Sequence, residues 1–78
     1  MDFSQALRQL KQGFRVSREG WNGKGMYLYM FAGSNVTIPL DKTREFRDFI
    51  VIKDAQDKLT PCVVSQADLL AEDWGVVQ

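Results

Sequence analysis

Apolar residues recur along the first dozen positions at a helical spacing. Phe3, Ala6, Leu7 and Leu10 fall at i, i+3, i+4 and i+7, one stripe of an amphipathic helix over Asp2 to Gln12. Asp2 suits the N-cap with Gln5 as its capping-box partner, Lys11 suits the last turn, and Gly13 stands where a left-handed residue would stop the helix. The period then changes to two. Phe14-Arg15-Val16-Ser17-Arg18 alternates apolar and polar, as a half-buried strand does. Met26 to Phe31 is apolar or aromatic at every position and predicts a strand whose two faces both need cover: one from the helix, the other from a partner subunit, a ligand or a loop.

The second half is read in the same way. Ala32-Gly33-Ser34-Asn35 is a turn, Val36 to Leu40 a short edge strand weakened by Pro39, and Asp41 to Asp48 a charged loop or single helical turn. Phe49 to Lys53 and Lys58 to Val63 form a hairpin across Asp54-Ala55-Gln56-Asp57, a turn without glycine. Ser65 caps a last short helix in which Asp68, at N3, can reach back to the cap amide and Leu69, Leu70 and Ala71 supply the apolar portion. Trp74 to Val77 adds a final strand. The expected fold is α+β: a small, mostly antiparallel sheet of about five strands, one covering N-terminal helix and one short C-terminal helix, in a single domain spanning residues 1–78.

Composition narrows the chemistry. A 78-residue chain buries only ~60–65% of its unfolded surface, so its own core is marginal and self-association is the usual remedy. Histidine is absent and Cys62 stands alone, which excludes an internal disulfide and an ordinary zinc site and leaves no base poised near neutral pH. The formal net charge of zero disfavours a nucleic acid polymer or an anionic membrane as partner. With neither a signal peptide nor a run of ~18 apolar residues, the expectation is a cytoplasmic protein.

Two stretches carry candidate chemistry. Gly20-Trp21-Asn22-Gly23-Lys24-Gly25-Met26 sets an aromatic face, an amide and a cation in a turn that the glycines make tight. It lacks Walker spacing and runs into a strand, so a structural turn is its plain reading; an indole beside backbone amides also suits a nucleobase. Capping explains Ser65 and Asp68 but leaves Gln66 unused, and free amides at the helix start can meet a polar ligand. Trp74 reads as core.

Taken together, "FSQALRQLKQGFRVSREGWNGKGMYLYM" and "SQADLLAEDW" resemble the small phage proteins of the Thoeris anti-defence family of the second type, with a weaker likeness through "DFIVIKDAQDKLTP". The resemblance implies a sponge rather than an enzyme. Such proteins hold a cyclic nucleotide immune signal, typically a glycocyclic ADP-ribose and in some members a cyclic dinucleotide, so that the effector of the infected bacterial host is never activated. It also implies homo-oligomers, dimers pairing into tetramers, with pockets between subunits and no cofactor. Trp21 would stack on base or sugar, Asn22, Gln66 and Asp68 would hydrogen-bond the ligand, and amides near Ser65 would meet its polar atoms. Gly23, Met26, Phe46, Phe49 and Cys62 would form the pocket wall. Two departures fall on the ligand side: Cys62 stands where the family has a Trp after the proline matching Pro61, and the segment Ala32 to Asp48 is short. Phe46 or Phe49 is the expected substitute for the missing ring. The competing reading is a protein-binding or assembly module of the same fold with a lost or repurposed pocket.

Overall fold

The computed structural model describes residues 1–21, 24–41 and 43–78. Helix α1 spans Phe3–Lys11. Asp2 caps it by accepting from the Gln5 amide, and the Gln5 side chain accepts from the Asp2 amide, a complete capping box. Gly13 follows with φ +93°, the left-handed residue that ends the helix. The strands are β1 (Arg15–Arg18), β2 (Tyr27–Phe31), β3 (Phe49–Lys53), β4 (Leu59–Pro61) and β5 (Trp74–Val77). Every pairing is antiparallel and the spatial order is β4-β3-β2-β1-β5.

Register decides what each face carries. Val16 pairs with Leu28 and Leu28 with Ile52; alternation sets these, with Met30 and Ile50, toward α1. Ala6, Leu10, Val16, Leu28 and Trp74 are buried together there. β4 and β5 are opposite edges of the sheet, so the chain between them must cross a face. It crosses the helix side, where Cys62 and Ala71 pack against the same core. The short α2 (Gln66–Leu69) lies on this crossing.

The other face bears Tyr27, Tyr29 and Phe31 of β2 beside Phe49 and Val51 of β3. Phe31 and Phe49 pack at 5.7 Å between ring centroids, and the Arg15 guanidinium stands 5.0 Å from the Tyr27 centroid. No helix of the described residues covers this face. It is the second apolar face that the sequence requires to be met by something else, and Phe46, packed on Phe49 at 6.2 Å, covers part of it.

Three local expectations are corrected. Val36 to Leu40 is not a strand: it joins neither edge of the sheet, Pro39 offers no N–H, and Leu40 is 99% exposed. Gly33–Asn35 instead forms a 3-10 turn, and the Gly33 amide donates to Asp48 Oδ1 at 3.0 Å, which ties the two ends of the segment together. Leu69 and Leu70 do not anchor α2, since they are 40% and 78% exposed; Ala71 and Trp74 hold that segment. Nor does Asp68 reach back to the cap amide. Ser65 caps alone, accepting from the Asp68 amide at 3.1 Å, because the carboxylate is drawn to other donors. In the β3–β4 turn Asp57 takes the left-handed conformation (φ +65°) that glycine would have supplied. Asp54 Oδ1 accepts from the amides of Gln56 and Lys58, which fixes the turn.

Candidate functional site

Arg18 ends β1 on the same face as Val16, where an apolar residue would be expected, and pairs with Trp74 of β5. Its guanidinium therefore starts at the rim of the core, and each of its three nitrogens donates to a carboxylate. Nε donates to Asp73 Oδ1 at 2.8 Å, Nη2 to Asp73 Oδ2 at 3.4 Å and Nη1 to Asp68 Oδ1 at 2.8 Å. Each acid then holds part of the glycine-rich turn: Asp73 Oδ2 accepts from the Gly20 amide at 2.8 Å, and Asp68 Oδ1 accepts from Trp21 Nε1 at 3.2 Å. The Trp21 ring stands edge-to-face on Trp74 at 5.4 Å, and Trp74 Nε1 donates to the Asp68 carbonyl at 2.9 Å.

The electrostatics follow from these contacts. Burial works to raise the Asp68 carboxyl, but hydrogen bonds from Arg18, Trp21 and Ser65 together with the Arg18 charge outweigh it and hold the group below the ordinary carboxylate range. Asp73 is held down first by Arg18 and then by the Gly20 amide. The Arg18 guanidinium is raised, chiefly by Asp73 and then by Asp68. Burial, aided by the Asp68 charge, pushes the Cys62 thiol up, which makes it a poor nucleophile.

Trp21, Ser65, Asp68 and Cys62 thus converge from distant parts of the chain onto the helix side of the sheet, with Gln66 exposed beside them on α2. Because α2 is one turn long, its chemistry resides in these side chains rather than in a helix dipole. Met26 is half-buried at the entrance to β2. Asn22 and Gly23 lie outside the described residues. Phe46 and Phe49 are placed elsewhere: they pack on each other at 6.2 Å on the opposite face, around a cavity of about 350 Å³ that Arg47, Asp48 and Pro61 complete. Within one subunit they do not substitute for a ring at Cys62. Arg18 and Asp73 were missed by sequence reasoning, although a cation at an inward position of an alternating strand is itself a signal for a buried partner.

The arrangement defines a class: a small α+β protein in which a tryptophan-bearing turn and an acidic helix start, far apart in the chain, are tied by one arginine beneath a five-stranded antiparallel sheet. The chain belongs to the Thoeris anti-defense 2-like domain family, whose model matches residues 1–77. It is similar to a protein of Bacillus phage SP01 named Thoeris anti-defense 2, with 39% identity over an 89-residue alignment that covers 99% of this chain and 94% of the relative. That alignment is longer than the 78-residue chain, so the relative carries residues that this chain lacks. Family membership gives the protein an anti-defence role. No helix of the described residues is long and apolar enough to cross a membrane.

Proposed function

We propose that the protein is a non-enzymatic sponge that sequesters a cyclic nucleotide immune signal of the glycocyclic ADP-ribose type in the cytoplasm of the infected host, and so silences antiphage defence. The observation that carries this reading is the 3.2 Å bond from Trp21 Nε1 to Asp68 Oδ1, which ties an indole to the short helix whose start, Ser65 and Gln66, is exposed. An indole offers a stacking surface for a base, Gln66 both donates and accepts toward a base edge, and the ionised Asp68 accepts from hydroxyls or exocyclic amines. The same chemistry argues for holding rather than turnover. A general acid or base works best near the operating pH, whereas Asp68 and Asp73 are kept ionised below the usual carboxylate range by a guanidinium.

Assembly belongs to the proposal. The half-buried aromatic face fits a second copy of the chain, in a dimer or tetramer, and Phe46 and Phe49 would wall a ligand pocket only where such a neighbour brings them to one. That face is also what favours the competing reading, a protein-contact module with a repurposed pocket.

Titration of the purified protein with glycocyclic ADP-ribose and with cyclic dinucleotides, followed by melting temperature and calorimetry, tests the reading. A sponge gains stability as ligand exceeds its Kd and releases the ligand chemically intact on denaturation. Absence of a shift with every cyclic nucleotide refutes it and favours the protein-contact module; recovery of a cleaved product refutes the non-enzymatic part.

A further inference from the structure

Arg18 is the residue through which the two halves of the site are registered. Its three nitrogens reach two carboxylates that stand on either side of α2's C-terminal end, and each carboxylate grips a different atom of the glycine-rich turn. The side chains of Arg18, Asp68 and Asp73 keep only 21%, 23% and 31% of their surface exposed, so solvent is a poor substitute for the guanidinium. Without it, two negative charges would face one another across the position where Trp21 is anchored. The planar fork matters as much as the charge. A lysine ammonium is a point donor on a flexible stem and cannot hold the same directions to both acids.

We infer that Arg18 is a positioning residue for ligand binding: without touching the ligand, it fixes the Trp21 indole and the Asp68 carboxylate in one geometry and thereby sets affinity. The inference rests on the sponge reading above. It assigns Asp73 the companion role of holding the first residue of the turn.

The test uses the full chain and four variants: Arg18→Gln, Arg18→Lys, Trp21→Ala and the double variant Arg18→Gln/Trp21→Ala. Two readouts are taken: affinity for glycocyclic ADP-ribose by calorimetry, and the indole N–H resonances of 15N-labelled protein. Arg18→Gln is expected to weaken binding about tenfold or more, as loss of charge-assisted bonds does. Arg18→Lys should restore only part of it. On the Trp21→Ala background the Arg18 change should cost little further, because both act through one element. Without ligand, the Trp21 indole resonance should move in Arg18→Gln, because its acceptor Asp68 loses the guanidinium that holds it. Should Arg18→Gln fail to fold, Asp73→Asn cuts one of the two anchors with shape retained and is read in the same way. Wild-type affinity in Arg18→Gln alongside loss in Trp21→Ala overturns the inference alone, as do an unmoved Trp21 resonance and additive effects in the double variant. Failure of the wild-type protein to bind overturns the sponge reading and this inference with it.

Discussion

Replacing Gly33 by alanine tests whether the middle loop is held by backbone contact. A Cβ on Gly33 would overlap the carbonyl oxygen of Phe46 and lie 2.5 Å from that carbonyl's carbon and 2.6 Å from the Arg47 oxygen. Carbon seeks its neighbours at about 3.5–4.0 Å, so the 46–47 peptide must withdraw by on the order of 1 Å. Backbone does not swing aside as a side-chain tip does. Overpacking of this kind costs about 1–3 kcal/mol, and the withdrawal strains the Gly33 N–H bond to Asp48, worth about 1 kcal/mol more. The expected loss is about 2–4 kcal/mol, a large share of the ~4–12 kcal/mol that a domain of this size commands. Melting temperature should fall by about 10–25 °C, and urea unfolding should show a lower midpoint at unchanged slope. Gly75→Ala is the control, because a Cβ there meets nothing within 4 Å and alanine costs less strand entropy than glycine; it should match or slightly exceed the wild type. Trp21 lies on the other face, so its fluorescence in the folded Gly33→Ala protein should not change. A Gly33→Ala variant within about 0.5 kcal/mol of wild type would refute the reasoning, and equal losses at Gly33 and Gly75 would trace them to glycine replacement in general rather than to the contact at residues 46 and 47.

Other consequences are open to simpler checks. Asp68 and Asp73, and also Asp41 through the Thr43 hydroxyl and amide, titrate below the ordinary carboxylate range in the folded protein. Between the folded and unfolded values the unfolded chain binds more protons. Stability therefore rises with pH there, is complete above the unfolded value near ~4, and is lost as pH falls through the folded values. Urea midpoints from pH 2.5 to 6 should show this loss, with a shallower slope in Asp73→Asn; an unchanged slope would contradict the assigned cause. Asp57→Gly should stabilise by about 0.5–1 kcal/mol by relieving a left-handed non-glycine residue, since the Lys53 ion pair it forfeits is 3.5 Å long with its acid 87% exposed; a loss of stability would count against that strain. Leu28→Ala, at a site 1% exposed between α1 and the sheet, should cost about 2–5 kcal/mol in the same unfolding assay, and a loss under about 1 kcal/mol would contradict the assigned core.

What the chain reveals before folding divides along a physical line. Elements governed by local rules were legible: the Asp2–Gln5 box, the stop at Gly13 and the period-two strands all depend on residues within a few positions of one another. The short α2 was harder, because its apparent apolar portion, Leu69-Leu70, is exposed and its real anchors are Ala71 and Trp74 beyond its end. Val36 to Leu40 has strand-like composition, but whether it pairs depends on how a sheet edge is presented to it, and the edges are β4 and β5, nineteen or more residues further on.

The candidate site shows the same division more sharply. Trp21, Ser65 and Asp68 could be named from residue type and context, yet what joins them could not, because the joining group is a charge whose meaning comes only from the fold. Arg18 breaks the alternation of its strand and so signals a buried partner, but which partner is settled only when β5 pairs beside β1 and carries Asp73 to it, over 55 residues of separation. Asp68 reads as a helix cap until the chain, obliged to travel from one sheet edge to the other, brings α2 across the core and sets its carboxylate within 2.8 Å of the guanidinium. The sheet's edge-to-edge connection is thus what turns a glycine-rich turn and a capped helix start into one site. Any change that reroutes residues 62–73 should dismantle that site even where every side chain named in it is kept.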